Sequence, residues 1–81
     1  MSTAVTTEQV EKVVIEALAT FGADPDQIAP EATFEALDID SLDLAELSQI
    51  IEEQFGVELT SSDVAEIRTV GDAIDLVAER A

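Results

Sequence analysis

Residues 41–55 read SLDLAELSQIIEEQF. Successive residues of a helix lie about 100° apart around its axis. On that wheel Leu44, Leu47, Ile51 and Phe55 share one face, with Ile50 on its flank. A strand, with its period of two, would scatter these side chains over both faces. The opposite face carries Leu42, Ala45, Glu46, Gln49, Glu52 and Glu53, and Ser41 stands at its head. Ser41 reads as the N-cap or the first turn, with Asp40, Asp43 and Glu46 near the positive end of the helix dipole. Leu42 is thus an apolar side chain projected into an acidic, solvent-facing surface.

Upstream, Thr6 followed by Gln9 forms a capping box. Val10, Val13, Val14, Ala17, Leu18 and Phe21 then recur at helical spacing, which predicts a first helix from Thr7 to about Phe21. Gly22 is placed to end it. Glu8, Glu11, Lys12 and Glu16 fall on its wet side. Residues 23–40 form a long loop, because Pro25 and Pro30 interrupt any continuous helix. Asp24-Pro25 suits the start of one short helical turn reaching Ile28. Ile28, Phe34, Leu37 and Ile39 are expected to pin the loop to the core. A loop this long in a small domain is usually functional.

Downstream of Gly56, the pair Val57 and Leu59 is too short for a strand and has no partner strand. Thr60 with Asp63 opens a short third helix to about Ile67, and Thr69 with Asp72 opens a fourth to about Glu79. In the fourth, Val70, Ala73, Ile74 and Val77 face inward, while Asp72, Asp75 and Glu79 face out. The expectation is an all-α domain: a small four-helix bundle of three longer helices and one short helix, with a long loop between the first two. Residues 1–81 form a single domain, with 1–6 expected to be a disordered N-terminal stretch.

The chain has 19 acidic and 3 basic residues, net charge −16, and neither His nor Cys. Such a chain lacks the Lys/Arg patches that neutralise nucleic-acid phosphates, and an anionic membrane surface repels it. Thiolate and imidazole metal sites, disulfides and Ser-His-Asp or Cys-His machinery are all excluded. Hydrophobic residues make up 47% of the chain, enough to argue for a folded core despite the charge. No run of 18 apolar residues is present for a membrane span. The polar start, Met1 to Thr7, lacks the basic and apolar parts of a signal peptide. A cytoplasmic monomer is expected.

Few groups remain for chemistry. Asp38, Asp40 and Asp43 lie close in sequence, but a calcium loop needs Gly at position 6 and Glu at position 12. Counting from Asp38 those places hold Asp43 and Gln49, and counting from Asp40 they hold Ala45 and Ile51. Glu52 and Glu53 lie on an exposed helix face, with no pocket to tune them for acid/base work. Ser61 and Ser62 belong to a capping motif. Ser41 follows a long pinned loop and heads the one helix face that exposes Leu beside several acids. A Ser in that place is commonly just a cap. No neighbouring His or Lys could activate it as a nucleophile, so any reaction there requires a second protein.

The segment from Leu37 to Leu47, centred on Asp40-Ser41-Leu42-Asp43, resembles the modification motif of acyl carrier proteins. Ala32-Thr33-Phe34 resembles the family segment ahead of that motif. Residues 52–57 resemble the end of its second helix, and residues 68–73 the start of its last. The likeness spans about Val10 to Val77. It implies that Ser41 accepts a 4′-phosphopantetheine arm from coenzyme A through a phosphopantetheinyl transferase, and that acyl groups ride on the arm as thioesters. It implies that Asp40 helps hold magnesium and contacts the transferase during loading. It implies a partner surface of Leu42, Asp43, Ala45, Glu46, Gln49, Glu52 and Glu53 for the basic patches of acyltransferases, ketosynthases and other fatty-acid or polyketide enzymes. Leu47, Ile51, Phe55, Val64 and Ile67 become candidate lining of an acyl-chain pocket. Asp38 stands where the family often has Gly. The absence of a Gly-Gly-x-Ser context favours acyl over aminoacyl cargo. On residues alone, an acidic helical interaction module without a prosthetic group remains the alternative.

Overall fold

Each helix begins at a side-chain cap that satisfies amide groups which the helix leaves unpaired at its start. In this computed structural model, which describes residues 6–81, the elements are α1 (Thr7–Thr20), a 3-10 turn (Pro25–Gln27), α2 (Ser41–Phe55), α3 (Ser61–Glu66) and α4 (Val70–Arg80). Residues 1–5, on which most of the expected N-terminal disorder falls, lie outside the described residues. Thr6 caps α1: its Oγ1 accepts the Gln9 amide at 3.2 Å, and the Gln9 Oε1 accepts the Thr6 amide at 3.0 Å.

The far end of α1 closes at Gly22, whose φ of +105° is open to glycine at no steric cost. The Gly22 amide donates to the Ala19 carbonyl at 3.1 Å and the Ala23 amide to the Leu18 carbonyl at 3.0 Å. This is a Schellman end, and buried Ala23 packs at it. The 3-10 turn is capped by Asp24, with Pro25 at its first position, as its sequence requires.

The helical stripes meet in one core. Val10, Val14, Ala17 and Leu18 of α1 are buried with Leu47 and Ile51 of α2 and with Val70, Ala73, Ile74 and Val77 of α4. α1 packs against both α2 and α4. Burial of each such Val, Leu or Ile contributes about 1.5–3 kcal/mol. Leu44, Ile50 and Phe55 of α2 are half-buried against this core. α3 buries none of its six residues, and Ile67 just beyond it is buried instead.

The long loop is held as expected: Phe34 and Ile39 are buried, and Ile28 and Leu37 are half-buried. The backbone adds a restraint that local sequence does not announce. Thr33 and Thr69 form an isolated antiparallel bridge. Around it the Phe34 amide donates to the Arg68 carbonyl at 3.1 Å, Val70 to Ala32 at 2.9 Å and Gly71 to Pro30 at 2.8 Å. The loop is therefore stitched to the start of α4, which fixes its exit into Ser41. No described helix is long and apolar enough to cross a membrane.

Candidate functional site

Ser41 is the first residue of α2, and Asp40 before it is the cap. Asp40 Oδ1 accepts the Asp43 amide at 2.9 Å, and Asp43 Oδ2 accepts the Asp40 amide at 3.4 Å. This reciprocal pair does the capping, so the Ser41 hydroxyl is not needed for it. Side chains in the first turn lean toward the helix start, and Ser41 is exposed there. Asp40 keeps its Oδ2 outside the capping bonds.

The approach to Ser41 contains the one non-glycine residue at positive φ among those described, Asp38 at +60°. The left-handed conformation lets the chain reverse so that the Ile39 amide reaches the Phe34 carbonyl at 2.9 Å. Ile39 is thereby buried and Asp40 turned outward. Asp38 holds this left-handed shape at a steric cost that a glycine would not bear.

Beside Ser41 opens a cleft of about 330 Å³, walled by Ala45 and Ser48 of α2 and by Leu59, Thr60, Ser61 and Val64. Ser48 Oγ donates to the Leu44 carbonyl at 3.0 Å. On the outer face of α2, a second shallow groove gathers Leu42, Ala45, Glu46, Gln49 and Glu52 against Leu59. Leu42 is 77% exposed. Five of the seven expected partner residues thus form one surface. Glu53 is exposed outside that groove, and Asp43 is half-buried and engaged with Asp40.

The candidate lining residues are divided. Leu47 and Ile51 are sealed in the core, and Phe55 is half-buried. Val64 walls the cleft at Ser41, whereas Ile67 lines a separate groove with Phe34, Ile39 and Leu44. Leu59 and Ser48, which border both the cleft and the outer groove, carried no signal in the sequence beyond their hydropathy. No group of three or more metal-ligating side chains occurs among the described residues.

A family profile described as "Phosphopantetheine attachment site" matches residues 9–77. The chain belongs to the phosphopantetheine-bearing acyl carrier family. It is 43% identical over 74 residues to the acyl carrier protein of Nitratidesulfovibrio vulgaris (strain DP4), covering 90% of this chain and 93% of that one. It is 41% identical over 75 residues to the acyl carrier protein of Zymomonas mobilis, covering 91% and 92%. This acyl carrier chain is accordingly a carrier rather than an enzyme, and its cofactor is a covalent phosphopantetheine. Membership of the carrier family implies dealings with a phosphopantetheinyl transferase and with acyl-processing enzymes. The alternative of an acidic module without a prosthetic group falls with this match. The residues present fit the group: Ser41 offers an exposed hydroxyl free of capping duty, next to a cleft with both hydroxyl and apolar walls.

Proposed function

We propose that Ser41 is the attachment point of the arm, through a phosphodiester at its Oγ. The observation that carries this reading is the division of labour at the start of α2. Asp40 and Asp43 close the cap between themselves, leaving the Ser41 hydroxyl exposed. Bound there, the group supplies the terminal thiol that this Cys-free chain lacks, and with it thioester chemistry. The helix start favours a phosphate. The free Oδ2 of Asp40 is available to a magnesium ion held jointly with the transferase during loading. The base that activates Ser41 comes from that transferase, because the chain has no His and its single Lys, Lys12, does not line the cleft at Ser41.

The outer face of α2 is the docking surface in this reading. Leu42 supplies an apolar contact, and Glu46, Glu52 and Glu53 supply charge for basic patches on acyltransferases, ketosynthases and related fatty-acid or polyketide enzymes. Exposed charge pairs each contribute little and are screened by salt, so binding is modest and salt-sensitive, as a shuttle requires. Val64 and Ile67 offer surfaces for the cargo at the clefts they line. Leu47 and Ile51, sealed in the core, meet cargo only if the core opens, whereas half-buried Phe55 keeps some surface exposed. A cytoplasmic monomer suits this role.

The test is intact mass after incubation with coenzyme A, magnesium and a phosphopantetheinyl transferase. The native chain gains the mass of the arm and Ser41→Ala gains none. A gain by Ser41→Ala, or none by the native chain, overturns the assignment. In the same assay, with helical circular dichroism unchanged, Glu46→Lys slows loading by partner enzymes. An unaltered rate removes α2 as the docking surface.

A further inference from the structure

A six-residue helix with no buried residue has little to hold it in place. α3 rests on half-buried Val64, on Ile67 beyond its end, and on the one ion pair among the described residues. In that pair Arg80 of α4 forks onto Asp63 of α3. Nη1 donates to Oδ2 at 2.6 Å and Nη2 to Oδ1 at 2.7 Å. Asp63 has a second duty. Its Oδ2 also accepts the Thr60 amide and the Thr60 hydroxyl, both at 2.9 Å. One carboxylate therefore closes the start of α3 and receives the last turn of α4. The Asp63 side chain is 13% exposed and that of Arg80 41%. The Arg80 fork, aided by Thr60, holds the Asp63 carboxyl well below the usual carboxylate range.

The chain offers its three basic residues 19 acids. Arg80 takes the one acid that also shapes α3. Thr60, Ser61 and Val64, around that acid, form the wall of the cleft beside Ser41. We propose that Arg80 and Asp63 are positioning residues, a clamp that holds α3 as the cleft wall and so shelters the acyl group carried at Ser41. The shelter rests on the Ser41 assignment, whereas the clamp on α3 does not. Loosening it raises local opening of α3 rather than global unfolding.

The test uses the full chain in two stages. Hydrogen exchange of the unmodified protein is compared for the native chain, Arg80→Ala, Arg80→Lys, Asp63→Ser and the Arg80→Ala/Asp63→Ser double variant. Arg80→Ala speeds exchange of residues 64–67 by roughly three- to ten-fold, with interior amides of α1 and α2 little changed. Arg80→Lys keeps the charge but not the fork, and falls between. The double variant exchanges no faster at α3 than Asp63→Ser. The native chain and Arg80→Ala are then loaded with an octanoyl-bearing arm, and hydroxylamine cleaves the thioester several-fold faster in the variant. Unchanged exchange at α3, an equal rise in every helix, additive effects in the double variant, or unchanged cleavage overturns the proposal. If the arm never attaches at Ser41, that assignment falls, while the exchange comparison still decides the clamp.

Discussion

Asp38 and Gly71 show the same steric rule from opposite sides. Asp38 holds a φ of +60° that glycine adopts freely, and it does so three residues before Ser41. The expected effect of Asp38→Gly is stabilisation by about 0.5–1 kcal/mol, since relief of strain outweighs the added freedom of the unfolded chain. Thermal unfolding checks it: a melting temperature raised by a few degrees is expected, with arm loading retained. Gly71 is the second residue of α4, and alanine is ordinarily the better helix former. Here a Cβ would stand 2.9 Å from the Pro30 carbonyl oxygen, the same oxygen that accepts the Gly71 amide at 2.8 Å. Gly71→Ala is therefore expected to lower the melting temperature by several degrees, against its propensity, through displacement of the loop that leads to Ser41. The candidate site itself was readable at this scale. Ser41 stood out because it heads a helix face carrying Leu42 among acids. That Asp40 rather than Ser41 is the cap became visible only with the backbone in place.

All four α-helices open with a reciprocal capping box: Thr6 with Gln9, Asp40 with Asp43, Thr60 with Asp63 and Thr69 with Asp72. Three of them follow from a Thr placed three residues before a Gln or Asp. The box at α2 hid among neighbouring acids that are equally suited to cap or to bind. At α4, Asp72 accepts the Thr69 amide at 3.2 Å and the Arg68 amide at 3.3 Å. These backbone bonds, the Thr69 one foremost, hold its carboxyl below the ordinary value of 3.8. A carboxylate depressed on folding stabilises the protein above its unfolded value, and loses that effect as pH falls through the folded value. Asp72→Ala is thus expected to lower the melting temperature at pH 7. The gap to the native chain narrows as pH drops below 3.8. Melts along a pH series check this, and a gap constant to the acid end would refute the capping role.

Across the whole molecule, 19 acids and 3 bases leave mostly like charges facing one another. Ten of the acids and none of the bases lie between Glu35 and Glu66, the stretch holding Ser41 and all of α2. Self-repulsion opposes compactness, and screening acts over about 8 Å at physiological salt. The melting temperature is expected to rise as sodium or magnesium chloride is added, and a flat titration would show that the charges are already too far apart to matter. The helices, the capping boxes of α1, α3 and α4 and the buried faces followed from the sequence alone, because periodicity and capping involve residues no more than a few positions apart. So did the exposed serine and the acidic face behind it. The tertiary structure alone decided what covers each face. Thr33 pairs with Thr69, Arg80 reaches Asp63, and Leu59 borders both the outer groove and the Ser41 cleft. It also separated Leu47 and Ile51, sealed in the core, from Val64 and Ile67, which line different clefts. A helical period states which side chains share a face. It carries no record of which distant segment packs there, and only the closed chain settles whether an apolar residue becomes core or wall.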